Sequence, residues 1–145
     1  MSKLYVESGQ LQSSDGAVKS PVNSLQVGLF NILTNGGISI PKTANVTQTT
    51  SITTGVTSNG VAGQITTVTA STSSAATSSF TVTNSAVTSS SYVFLQLASY
   101  SGTPYTNGTI MLTVSNITSG SFQINILNVG ANSLSGSLVI NYLVV

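Results

Sequence analysis

Histidine, cysteine and tryptophan are absent from this chain, and charge nearly so: three basic and two acidic side chains make up 3% of its 145 residues. Ordinary proteins carry about 25%. Each absence removes a class of chemistry. Without histidine or cysteine there are no nitrogen or sulfur ligands for zinc and no common nucleophile–base pair. The only side-chain carboxylates, Glu7 and Asp15, are too few to cage calcium or magnesium. As an acid/base pair they lack neighbours to position them, so they read as solvated charges. A net charge of +1 gives no field to steer nucleic acid or anionic lipid. The chain is therefore expected not to be an enzyme, to take no cofactor and no metal, and to bind no nucleic acid.

Without cysteine there is no disulfide framework, and packing alone must hold the fold. Long apolar runs are missing as well. The longest are Tyr92 to Leu95 and Tyr142 to Val145, where a membrane helix needs about 20 residues. The opening MSKLYVESGQLQSSDG lacks the apolar stretch of a signal peptide. A soluble chain made in a cytosol, with no membrane insertion, is expected.

What is present is Ser and Thr alternating with apolar residues. A hydrophobic content of 40% is too high for a disordered tract, and a chain of this length can bury roughly 70% of its unfolded surface. Charge divides it into two zones. All five charged residues, with Pro21 and Pro41, lie in residues 1–42; from Thr43 to Val145 there is no charge. Residues 1–42 read as an extended N-terminal arm holding one strand or helical turn in SLQVGLFNIL (24–33).

Residues 43–145 read as one β-domain. VTQTTSIT (46–53), GQITTVTA (63–70), SSFTVTN (78–84), YVFLQLA (92–98), TIMLTVS (109–115), SFQINILNV (121–129) and SLVINYLVV (137–145) are rich in β-branched or aromatic residues. Ile110, Leu112 and Val114 share one face, and Phe122, Ile124 and Ile126 oppose Gln123 and Asn125. That period of two is the mark of half-buried strands. Turn chemistry separates them at Asn59-Gly60, Asn107-Gly108, Ser119-Gly120 and Ser135-Gly136. The pattern predicts an all-β fold, an antiparallel β-sandwich, and a jelly roll if residues 24–33 add a strand. No period of 20 to 50 residues stands out, which argues against a solenoid with TQTTSITT as a regular threonine face. Outward strand threonines are the ordinary account. The sequons at Asn45, Asn107 and Asn116 are no more than this Ser/Thr content yields by chance.

Sheet edges are usually guarded by Lys, Pro or inward charges. The charge-free zone has only Pro104. Its edges must then be covered, and copies of the chain, as a homotrimer, are the expected cover. YVFLQL and SLVINYLVV are apolar on both faces, as in strands covered on each side. Tyr92, Phe94, Leu138, Ile140, Tyr142 and Val144 are the candidate interface or core positions. Tyr92 and Phe94 read more readily as core. SLVINYLVV should be a central strand, with Asn141 hydrogen-bonded inside. The loop SYSGTPYTNG offers Tyr100, Tyr105 and Asn107 as a candidate external contact, since exposed tyrosines can stack on sugars or a partner protein; a plain connector is the alternative.

The runs VTQTTSITTGVTSNGVAGQITT (46–67), FTVTNSAV (80–87), GSFQINILNV (120–129) and LSGSLVINYLV (134–144) resemble a small Thr-rich β-domain of virion structural proteins in tailed phages and large DNA viruses. Such proteins are capsid decoration, fibre or spike components. The resemblance implies a structural virion role, self-association, and attachment to other virion proteins through the N-terminal arm. It carries over no active-site residue. The expected function is a self-assembling β-sandwich subunit on the virion. The alternatives are a receptor- or glycan-binding fibre head and a cellular surface-layer or pilus subunit.

Overall fold

The computed structural model describes residues 38–145 and, before them, the backbone of the segments 4–7, 10–13, 18–21, 24–27 and 30–33. The chain forms two compact units, Met1–Pro41 and Lys42–Val145.

In the first unit, β1 (Leu4–Glu7), β2 (Gln10–Ser13) and β3 (Val18–Pro21) form one three-stranded antiparallel sheet. A second is built from β4 (Ser24–Val27), β5 (Phe30–Leu33) and β6 (Ile38–Ser39). Where one strand or helical turn was expected in 24–33, there are two paired strands. The two sheets also repeat each other. Leu4 pairs with Ser13 and Glu7 with Gln10; Ser24 pairs with Leu33 and Val27 with Phe30, the same register 20 residues on (24 − 4). Gln12 pairs with Val18, and Ile32 with Ile38, displaced by the same interval.

The expectation of no such period is thereby corrected for residues 1–41. The sequence bears the trace: Ser14-Asp15-Gly16-Ala17-Val18-Lys19-Ser20-Pro21 matches Thr34-Asn35-Gly36-Gly37-Ile38-Ser39-Ile40-Pro41. Asp/Asn-Gly is turn chemistry, the β-branched residue opens a strand, and proline ends ladder pairing. The strand cores between these marks differ in sequence, which hides the repeat. Asp15 and the side chain of Glu7 lie outside the described residues.

The second unit holds β7 (Ala44–Thr47), β8 (Val56–Thr57), β9 (Ala62–Thr66), β10 (Thr77–Thr83), β11 (Val93–Tyr100), β12 (Ile110–Thr118), β13 (Ser121–Asn128) and β14 (Leu138–Val144). They form two four-stranded sheets of order β12-β13-β10-β8 and β11-β14-β9-β7, packed face to face. Among the described residues there is no helix. The fold is an all-β sandwich, and each of the seven segments rich in β-branched or aromatic residues contributes to a strand.

The segment 46–53 stays extended only to Thr47. Buried Gln48 donates through Nε2 to the carbonyls of Ile52 (3.4 Å) and Thr54 (2.7 Å), and Ser51 Oγ lies 2.8 Å from Thr54 Oγ1. Side chains that bond nearby backbone compete with the ladder and fold the chain into a turn. It resumes as β8, so the eighth sandwich strand comes from here. Two pairings are parallel, β7 with β9 and β8 with β10; the others are antiparallel.

The core lies between the central strands. Phe122, Ile124 and Ile126 of β13 meet Leu138, Ile140, Tyr142 and Val144 of β14, with Phe80 and Val82 from β10 and Ile65 from β9. Each such burial contributes about 1.5–3 kcal/mol. The rings of Phe122 and Tyr142 join the sheets at 5.8 Å between centroids, tilted by 59°. Gly63 sits opposite Tyr142 in the register, and a Cβ there would fall 2.5 Å from the Tyr142 hydroxyl and collide with the Ala44 carbonyl. Only glycine leaves room for the ring.

Neutral amides tie the loops to this core. Buried Asn128 donates to the carbonyls of Thr72, Ser73 and Asn132 (3.0, 3.1 and 2.8 Å) and accepts from the backbone N–H of Thr109 and Gly130 (both 3.1 Å). Buried Asn84 donates to the Gly60 carbonyl at 2.9 Å and accepts from Ala86 N–H at 2.8 Å. A buried amide so satisfied fixes geometry without the desolvation cost of an ion.

Candidate functional site

Strand β14 pairs on both sides, with β11 and with β9. Its Leu138, Ile140, Tyr142 and Val144 are all buried, so these four candidates are core. Burial raises the Tyr142 phenol above 10.0, and the Ser58 hydrogen bond offsets part of that rise. Its hydroxyl donates to the Ser58 carbonyl at 2.8 Å and lies 2.9 Å from the Ser58 hydroxyl.

Asn141 has the opposite parity and lies on the outer face, correcting its expected inward placement. There it joins a row of neutral amides across three strands. Gln64 Nε2 donates to Asn141 Oδ1 at 2.9 Å, and Asn141 Nδ2 donates to Gln96 Oε1 at 3.1 Å. Lys42 Nζ, the one charge at or after position 42, reaches the same Oδ1 at 3.3 Å. The outer face of the other sheet is built likewise. Asn125 accepts from Ser79 Oγ at 2.8 Å and donates to Ser115 Oγ at 3.0 Å, and Ser115 donates to Gln123 at 3.0 Å. Hydroxyls and amides thus bind one another where other proteins place ions.

Among the described residues β11 is an edge strand, with β14 on one side and no strand on the other. Tyr92 and Val145 exchange both backbone bonds, at 2.8 and 2.9 Å. By the alternation of an antiparallel ladder, Phe94 and Gln96 also bond to β14. The backbone N–H and C=O of Val93, Leu95 and Leu97 then point to the open side. Their side chains face the core, while those at 92, 94 and 96 face out. Tyr92 is 71% exposed, Phe94 59% and Leu97 37%. The core reading of Tyr92 and Phe94 is therefore corrected: odd positions of β11 face inward. A register shift between Leu97 and Ser99 ends the regular edge.

The following loop separates its two tyrosines. Tyr100 is half-buried; its hydroxyl donates to the Asn107 carbonyl at 2.6 Å and accepts from Ser135 N–H at 3.0 Å. It is a brace and not a free contact, because its hydroxyl is spent on the loop. Asn107 closes the same loop by accepting from Thr103 N–H at 3.0 Å. Tyr105 alone is presented outward, 81% exposed, with φ at 66°.

Comparison with protein-family models, curated proteins and solved structures finds no match to this chain. The site rests on its own geometry. The open backbone at Val93, Leu95 and Leu97 and the amide row through Gln96, Asn141 and Gln64 were not among the sequence candidates. Gln96 and Asn141 do stand out as polar residues inside apolar runs, but register alone shows that they meet.

Proposed function

We propose that this chain is a non-enzymatic structural subunit of a virus particle, a β-sandwich that assembles with copies of itself and is held on the particle through residues 1–42. The observation that carries self-assembly is edge β11: open backbone groups, exposed Tyr92 and Phe94, and no charge anywhere from Thr43 onward to repel a second copy. The virion setting rests on the Thr-rich resemblance and on the charge zoning. A mass-resolved inventory of purified particles from the source tests it. The chain should appear at a fixed high copy number and be lost when residues 1–42 are deleted. Its absence from particles would refute the setting while leaving self-assembly to be judged by light scattering.

A second reading, a glycan- or receptor-binding head, draws on Tyr105. A bulky side chain in the left-handed region is strained, and Asn132 Nδ2 holds the Tyr105 carbonyl at 3.0 Å. A ring so fixed and exposed suits stacking on a sugar face. Glycan-array binding abolished by Tyr105→Ala would favour this reading over the first.

A further inference from the structure

We infer that two copies of this chain join their β11 strands antiparallel across a two-fold axis at Leu95, making one continuous eight-stranded sheet from two four-stranded ones. The inference rests on the self-assembly reading and names its surface, register and symmetry.

The free backbone groups determine the register. They belong to Val93, Leu95 and Leu97, three alternate residues of one edge. Centred on Leu95, Leu95 faces Leu95 of the second copy, and Val93 faces its Leu97. All three positions then form hydrogen-bonded pairs, each exchanging two bonds, about six in total. Moving the centre to Phe94 or Gln96 leaves one of the three without a partner from this set. The register shift after Leu97 bends the chain away where the paired stretch ends.

Side chains agree with this pairing. On the outer face Phe94 lies against Gln96 of the second copy, so the exposed Phe94 ring gains cover. Gln96 ends the amide row as an acceptor from Asn141, on the outer face beside the proposed seam. On the inner side, Leu97 is left partly open at the sandwich margin and closes against Val93 of the second copy.

The occupant is a second copy because one edge with this spacing complements itself, as a two-fold interface requires. A trimer needs two different complementary surfaces, and this edge offers one. Strand β12, the edge of the other sheet on the same side, is the poorer choice. Its outward Thr113 and Ser115 already bond Asn125, and the chain kinks at Asn116, where φ is 50°.

The test uses the full chain. Light scattering over low to high micromolar concentration should give twice the chain mass for the natural protein. Leu97→Lys places a charge at the inner margin, a device natural edges use against pairing, and should give a folded monomer by circular dichroism. Phe94→Lys, on the exposed face, serves the same end should Leu97→Lys fail to fold. Because the chain has no cysteine, Phe94→Cys/Gln96→Cys gives an unambiguous readout. Residues 94 and 96 face each other at about 4.5 Å between Cα atoms, within disulfide range, so oxidation should yield a covalent dimer, with Gln96→Cys alone cross-linking at least about ten-fold less. An oligomer that persists in both lysine variants without cross-linking overturns this edge and leaves self-assembly standing. A natural protein monomeric throughout the range overturns both.

Discussion

The sandwich has two kinds of margin, and they manage the same hazard differently. At one, β8 is two residues long, β7 is four, both pair in parallel, and Lys42 stands just before β7. At the other, β11 and β12 run for eight and nine residues with no charge on either. Short strands and a lysine are ordinary edge protection. The long margin has only a shift in register near the end of each strand. A chain with almost no charge can guard one margin by brevity. Guarding the other would break the strands that flank its core, and that is the margin at which pairing with a second copy is proposed.

The contrast predicts where substitutions act. Ile140 lies between Leu97 on β11 and Ile65 on β9, so it supports both margins. Ile140→Ala should lower stability by about 2–5 kcal/mol, read from denaturant midpoints, whether or not copies associate. Gly63→Ala acts between the guarded margin and the central strand, where the new methyl group meets the Ala44 carbonyl of β7 and the Tyr142 ring of β14. Overpacking of this kind should cost about 1–3 kcal/mol. Small shifts for both variants would misplace the core.

Titration separates core from surface in another way. The Tyr142 phenol is raised above 10.0 in the folded protein, so folded protein holds that proton more tightly than unfolded chain. Its contribution is complete below pH 10 and is lost as pH climbs through the raised value. No carboxylate or histidine side chain follows Lys42, so the sandwich has no corresponding side-chain loss in acid. Thermal midpoints should stay nearly level from about pH 3 to 9 and fall in alkali. Tyr142→Phe should flatten the alkaline fall.

How legible this was in the sequence varies by element. Period two marked β13, whose Phe122, Ile124 and Ile126 alternate with polar residues, whereas β14 is apolar on both faces and shows its parity only in the burial of Leu138, Ile140, Tyr142 and Val144. Asn107-Gly108 and Ser119-Gly120 announced their turns, and Gly108 and Gly120 do take positive φ, at 85° and 86°. Strand β8 escaped because two residues carry no period. Tyr92 and Phe94 were read as core because an apolar run of four shows no parity; only pairing with β14 decides which side faces in. The amide row depends on register between residues far apart in the chain, which no local pattern records. The N-terminal repeat is marked in the sequence by its Asp/Asn-Gly pairs and prolines, while the apolar positions between them differ.

Substitutions at the open margin should leave the isolated fold nearly unchanged. Phe94→Ser removes an exposed ring, and Thr53→Ala an exposed hydroxyl in the turn before β8. Both should stay within about 0.5 kcal/mol of the natural chain in unfolding. Only Phe94→Ser should weaken association, visible as a mass falling toward monomer on dilution.

Residue-resolved amide exchange at several protein concentrations tests the difference between the margins most directly. The account predicts that the amides of Val93, Leu95 and Leu97 gain protection as concentration rises, while those of β7 and β8 exchange at a constant rate. Fast, concentration-independent exchange at all three β11 amides, in protein shown to be associated, would contradict it.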